Sequence, residues 1–233
     1  MKDVPPNPVG YQNKDVARLL SNQIATFESV GGEGSKLSEF RPVDESGDPL
    51  SDEITVQFYS DRGKLLEEYT WTEGENIRPG MPDGWYDEDQ EEPKDRDIGL
   101  GEGFKIYTTY NGGKMIYSGE VDIGAIAIPI PRLLSSTGNI RPCPVKMSSL
   151  TPVDAEDEVV SDEITLQFYS DRGKLLEEYT WTEGENIRPG MPDGWYDEDQ
   201  EEPKDKDLAA GQGFCIYTTY SGAFLKFPAI GSK

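Results

Sequence analysis

The chain has 233 residues and a formal net charge of −23, from 45 acidic against 22 basic side chains. A field this acidic repels phosphate backbones and anionic membrane surfaces, so nucleic-acid partners are not expected. Histidine is absent, which removes Ser-His-Asp and Cys-His catalysis and imidazole-ligated zinc.

Met1-Lys2-Asp3-Val4-Pro5-Pro6-Asn7-Pro8 has no apolar core of the kind a secretory signal carries. It reads as the start of a mature chain whose export signal has been removed, or equally of a cytoplasmic one. Val16 to Leu20 and Ser35 to Phe40 each allow a turn or two of helix. Ile54, Val56 and Phe58 alternate with Thr55 and Gln57, the period of a strand buried on one face. Ser60-Asp61-Arg62-Gly63 is a short hairpin connection with glycine placed for a left-handed conformation. The return strand, Lys64 to Trp71, presents Leu65, Tyr69 and Trp71 on one face, interrupted by Glu67.

Trp71 to Gly101 shows no alternation over about 30 residues, longer than compact domains usually leave unstructured. Its second half, Asp87 to Asp97, holds seven acids against two bases. Gly103 to Tyr110 alternates again, and Asn111-Gly112 turns it into Lys114 to Tyr117. Ile123 to Leu134 is the most apolar segment; two prolines and an arginine make it a buried strand. No apolar run approaches the roughly 20 residues of a spanning helix, so no membrane insertion is expected.

A fixed internal period governs the whole reading. Residues 51–97 return as residues 161–207, an offset of 161 − 51 = 110, with only Val56 becoming Leu166 and Arg96 becoming Lys206. Ile106 to Tyr110 likewise returns as Ile216 to Tyr220. Arg18-Leu19-Leu20-Ser21 aligns with Arg132-Leu133-Leu134-Ser135 if four residues near Gly31 to Gly34 are an insertion. The expected architecture is all-β: two tandem small antiparallel β-domains, sandwich or barrel-like, from an internal duplication. The copies are residues 1–120 and 121–233, with the boundary near Gly119.

The duplicated acidic loop is the candidate site. Trp85 and Tyr86, flanked by Asp83 and Asp87, have the composition of a sugar-binding patch, as do Trp195, Tyr196, Asp193 and Asp197. There an aromatic face stacks on a pyranose while carboxylates accept hydroxyl hydrogens, and two copies give avidity. The competing reading has each tryptophan pinning its loop to the core. Asp87, Asp89 and Glu91, with Asp197, Asp199 and Glu201, offer oxygens for a weak calcium site. The EF-hand register fails, because Glu92 stands where the turn needs glycine and Ile98 where a bidentate glutamate belongs. Glycoside hydrolysis would need two carboxylates at a defined separation, and 45 acids make finding a pair uninformative. No enzymatic activity is expected, and no cofactor beyond weakly bound calcium.

The two cysteines, Cys143 and Cys215, both lie in the second copy. Bonded, they would close a loop worth roughly 4 kcal/mol; otherwise they are two buried thiols. Gly101-Glu102-Gly103-Phe104 and Gly211-Gln212-Gly213-Phe214 precede strands rather than helices, so the glycines serve strand entry and not a phosphate.

A strand pair, a Trp-bearing loop, G-[EQ]-G-F-x-I and a closing hairpin resemble the repeated β-modules of exported, mostly uncharacterised bacterial proteins. The matching stretches are Ile54 to Trp71, Trp85, Gly101 to Ile106 and Gly211 to Ile216. Val9-Gly10-Tyr11 is similar to the module start, and Leu37 to Phe40 to a mid-module turn. The resemblance implies an exported, non-enzymatic surface or binding module, with a glycan or another surface protein as partner and no catalytic residues to carry over. The Asp87 to Asp97 stretch departs from such modules.

Overall fold

The computed structural model describes residues 23–25, 35–60, 62–108, 110, 113–117, 124–141, 143–170 and 173–230. Residues 16–20, the Val9-Gly10-Tyr11 start, the Arg18 to Ser21 match and the boundary at Gly119 lie outside them.

The protein is all-β. The first half runs β1 (Gln23–Ala25), β2 (Ser35–Lys36), β3 (Phe40–Val43), β4 (Ile54–Tyr59), β5 (Leu65–Thr72), α1 (Gly74–Ile77), β6 (Gly84–Tyr86), β7 (Asp97–Ile98), β8 (Phe104–Thr108) and β9 (Lys114–Tyr117). The second runs β10 (Ile126–Ile130), β11 (Leu133–Gly138), β12 (Val145–Lys146), β13 (Thr151–Val153), β14 (Ile164–Tyr169), β15 (Leu175–Thr182), α2 (Gly184–Ile187), β16 (Gly194–Tyr196), β17 (Asp207–Leu208), β18 (Gly213–Thr218) and β19 (Ala223–Phe227).

Each half builds one five-stranded antiparallel sheet in the same spatial order: β1-β8-β4-β5-β6 in the first, β11-β18-β14-β15-β16 in the second. A smaller sheet lies over each, β3 with β9 in the first half and β10-β19-β13 in the second. Prolines 42, 129 and 152 sit in β3, β10 and β13, edge positions where a missing N–H costs no ladder bond. The core fills the space between the layers, as in a sandwich. In the first half Ile54, Val56 and Phe58 of β4 meet Phe40, Phe104, Ile106 and Met115. In the second Ile164, Leu166 and Phe168 meet Ile128, Phe214, Ile216, Leu225 and Phe227.

Three expectations change. The insertion in the first half is smaller than four residues before β2. Gln23 pairs with Ile106 and Ser135 with Ile216, so here the offset is 135 − 23 = 112, and two extra residues suffice. Leu65 does not reach the core: it is 42% exposed and Leu66 57%. The register shifts between Phe58 and Tyr59 at the hairpin end, so β5 leaves the alternation that its sequence carries. Third, Trp71 to Gly101 is a folded segment, with α1, β6 and β7 inside it. The turn of helix expected within Ser35 to Phe40 is present as a 3-10 turn over Leu37–Glu39.

The halves are in contact, with Leu100 packed against the second core. β1 lies against β11 and β18, and Gly103 N–H donates to the Ser136 carbonyl at 2.8 Å. A Cβ on Gly103 would stand 2.6 Å from that Ser136 carbonyl carbon, so glycine there serves close backbone approach.

The same logic operates at α1. A Cβ on Gly74 would lie 2.1 Å from the Met81 carbonyl oxygen, and one on Gly184 2.1 Å from that of Met191. Gly184→Ala is therefore expected to destabilise by about 1–3 kcal/mol, the usual cost of forced overpacking. Gly99→Ala, whose Cβ meets only Glu102 at 3.6 Å, serves as the control. Chemical denaturation of both variants checks this; equal midpoints would contradict it.

Candidate functional site

The site is built on β6 and the turn that leaves it. Trp85 is 1% and Trp195 0% exposed. Each indole Nε1–H donates to a carbonyl in the opposite layer, Trp85 to Phe40 at 2.9 Å and Trp195 to Leu150 at 3.0 Å. Tyr86 and Tyr196, each 1% exposed, donate their hydroxyls to the Pro82 and Pro192 carbonyls. Neither aromatic pair presents a face to solvent, so the sugar-stacking platform drawn from Trp85, Tyr86, Trp195 and Tyr196 is not formed. These rings pin the loop instead, because burying an indole stabilises by a few kcal/mol while its N–H still finds an acceptor.

The flanking carboxylates are engaged locally. Asp83 accepts the Gly74 N–H at 3.0 Å and Asp193 the Gly184 N–H at 2.9 Å, fixing the start of each short helix. Asp87 is half-buried rather than exposed as the charge density of its loop implies. Its Oδ2 lies 3.2 Å from Lys94 Nζ, and Asp197 meets Lys204 at the same distance. Their other carboxylate oxygens, Asp87 Oδ1 and Asp197 Oδ1, are shielded and have no hydrogen-bond partner. Buried acceptors rarely stay unpaired without a functional or structural reason.

Asp89 and Glu91, with Asp199 and Glu201, are exposed. They do not converge with Asp87 or Asp197: among the described residues no three His, Cys, Asp or Glu side chains gather around a common point. The calcium geometry proposed from sequence spacing is thus not assembled, since Asp87 turns inward to its lysine while the other two face solvent.

The acidic segment is tied down by its own cations, which reach acids on neighbouring elements, and by Lys36 from β2. Arg96 binds Glu67 and, at 2.7 Å, Glu102, and its guanidinium lies 3.7 Å over the Phe58 ring. In the second half Lys206 binds Glu177 and covers Phe168 at 4.1 Å. Gln212 stands where Glu102 does and accepts the Ala209 N–H at 2.9 Å. One cation with two carboxylates thus becomes one cation with one carboxylate and a neutral amide. Lys36 bridges to Asp97 at 2.9 Å and to Asp95 at 3.6 Å. The loop is held where Asp87, Asp95 and Asp97 are paired and Arg96 is anchored, an arrangement that composition alone hides.

What the arrangement leaves open is a groove beside β5. One wall is Leu65 to Thr70 and the other Tyr86 to Gln90, enclosing about 530 Å³. The second half has the equivalent groove, about 510 Å³, between Leu175 to Thr180 and Tyr196 to Gln200. Gln90 and Gln200 both adopt φ +49° in the turn that ends each strand, where the Gln90 N–H donates to the Asp87 carbonyl and the Gln200 N–H to that of Asp197. Glu67, Glu68, Asp87, Glu88 and Asp89 line the first groove, with no basic side chain among its lining residues. Burial, then the Glu67 charge, pushes the Tyr69 phenol above its ordinary pKa, so it stays a neutral donor there. Sequence reasoning found the acids and missed the groove, which depends on where β6 stops.

Cys143 and Cys215 are free thiols, which corrects the disulfide reading. Cys143 lies beyond the end of β11, with its carbonyl accepting Asn139 Nδ2–H at 2.9 Å. Cys215 lies inside β18 beside Ser136, and it is not part of the core that holds Phe214 and Ile216. Burial pushes the Cys215 thiol up, with the Ser136 hydrogen bond and the Lys105 charge opposing.

Comparison with protein-family models, with curated proteins and with solved structures finds no match for this chain. Among the described residues no helix is long and apolar enough to cross a membrane.

Two outcomes are expected. A raised thiol pKa means less thiolate than an ordinary cysteine at any given pH. In the native chain at pH 8, a chromogenic disulfide reagent should modify Cys143 first and Cys215 only at higher pH or after unfolding. Both should react in denaturant without reductant; recovery of no thiol there would restore the disulfide. Trp195→Ala should cost about 3–5 kcal/mol as a large buried deletion, against under about 1 kcal/mol for Glu198→Ala on the exposed turn. Equal unfolding midpoints would contradict the pinning role.

Proposed function

We propose that this chain is a non-enzymatic binding module that engages a partner through two equivalent acidic grooves, one on each half. The observation that carries the reading is the recurrence of the groove: the same eleven positions line both, at about 530 and 510 Å³. The volumes fall within the range of about 300–1,000 Å³ common to binding clefts. Identical exposed acids on both walls give two sites of the same chemistry on one molecule, which raises apparent affinity for any partner spanning them.

Export and display at a surface follow from the resemblance to exported β-modules and form part of the same proposal. Other features support a binder over an enzyme. The absence of histidine removes the commonest general base. Two of the five groove carboxylates, Glu67 and Asp87, are committed to ion pairs with Arg96 and Lys94. A glycan partner lacks the exposed aromatic face it would need at Trp85 or Trp195.

The test is an array of immobilised peptides and glycans probed with the labelled chain. Peptides should be retained, and a retained peptide should bind two per chain in solution. Glu88→Lys with Asp89→Lys should remove one site, and Glu198→Lys with Asp199→Lys the other. Glycan retention untouched by these reversals would contradict the reading.

A further inference from the structure

Resting on the two-groove reading, we infer that each groove accepts an extended lysine- or arginine-bearing segment of another protein as an added β-strand. The argument starts from strand pairing. β4 pairs with β5 along Leu65 to Thr70, whereas β6 pairs only with Thr70, Trp71 and Thr72. Among the described residues, no strand covers the other edge of Leu65 to Tyr69. The second half repeats this: β16 pairs with Thr180, Trp181 and Thr182 only. An edge of this kind exposes backbone donors and acceptors that template another strand.

The groove is the continuation of the lane that β6 occupies. Consecutive residues from both β5 and the departing turn line it, so it runs along the strand edge rather than into a sheet face. Trp85 holds β6 in register, and the turn with Gln90 at φ +49° ends the strand. About five residues of free edge at roughly 3.3 Å each is a normal length for a short added strand. Main-chain hydrogen bonds would supply affinity and alternate side chains specificity.

Charge decides the occupant. Five carboxylates and no basic side chain line the groove. Glu67 and Asp87 have cations behind them and Glu68 accepts from the Gln57 amide on β4, which leaves Glu88 and Asp89 as the uncommitted acids facing an incoming strand. A second copy of this chain would bring another net charge of −23 and the same acids, so edge-to-edge self-pairing is repelled. A strand carrying lysine or arginine is attracted instead. Leu65 and Leu66, at 42% and 57% exposure, offer apolar contact to alternate side chains; Leu175 and Leu176 repeat this at 41% and 60%.

The experiment is calorimetry on the full chain with a blocked octapeptide of alternating lysine and valine. Controls are the same peptide with proline at alternate valines, and a glutamate–valine octapeptide. Two peptides should bind per chain, weakening as salt rises. The proline peptide should bind at least tenfold more weakly and the acidic one not at all. Glu68→Lys with Asp89→Lys should leave one site, Glu178→Lys with Asp199→Lys the other, with circular dichroism confirming the fold of each. Equal affinity for the proline peptide overturns the inference, because charge alone would then explain binding. So does concentration-dependent dimerisation of the chain that competes with the peptide. If an array-selected ligand binds two per chain and is lost on charge reversal while the lysine–valine peptide does not bind, the strand occupant is wrong and the two-groove reading stands. If neither binds, both fail.

Discussion

The hydrogen bond from the Trp85 indole to the Phe40 carbonyl at 2.9 Å is the contact on which the rest of the site depends. β6 has three residues and a single strand neighbour, too little to hold itself in place. Burying the indole across the sandwich fixes its position, and Lys94 N–H then donates to the Trp85 carbonyl. That bond returns the acidic segment to the sheet after its excursion. Without the indole, β6, the turn at Gln90 and the wall of the groove would have no common anchor. Trp195 repeats the arrangement with Leu150.

Electrostatics then decides which acids remain available. A chain with a net charge of −23 must pair or solvate its carboxylates, because burying them unpaired is costly. Arg96, Lys94 and Lys36 draw five of them, Glu67, Glu102, Asp87, Asp95 and Asp97, into contacts that order the loop. Exposed pairs of this kind each add little to stability, but together they set direction: cations lie behind the loop and free carboxylates in front. The replacement of Arg96 and Glu102 by Lys206 and Gln212 preserves that polarity. The groove fronts therefore remain alike in the two halves.

Much of the fold was legible in the sequence. Alternation at Ile54, Val56 and Phe58, the left-handed glycine at Gly63, with φ +71°, and the offset of 110 place the main strands correctly. The site was less legible, for physical reasons. The order in Trp71 to Gly101 comes from single contacts between residues far apart in the chain, such as Lys36 with Asp97, and periodicity cannot register these. Trp85 allowed both a pin, the reading the cost of exposing an indole favours, and a binding face, and only burial separates the two. Alternation puts Leu65 on one face with Tyr69 and Trp71, and the bulge at Tyr59 that exposes it leaves no mark on the pattern. The groove arises from the end of β6 three residues into its pairing with β5, a feature defined by what the chain stops doing.

The central claim is that Leu65 to Tyr69 form an open strand edge which a partner completes. Residue-resolved amide hydrogen exchange tests it most directly. In the free chain, amides of this stretch that face β4 should be protected and those facing the groove should exchange rapidly. Saturation with the lysine–valine peptide should protect the groove-facing set alone, and equally in Leu175 to Tyr179. Uniform protection before any ligand is added would mean the edge is already covered. Unchanged exchange at saturation would mean the peptide does not pair with it, and either result contradicts the account.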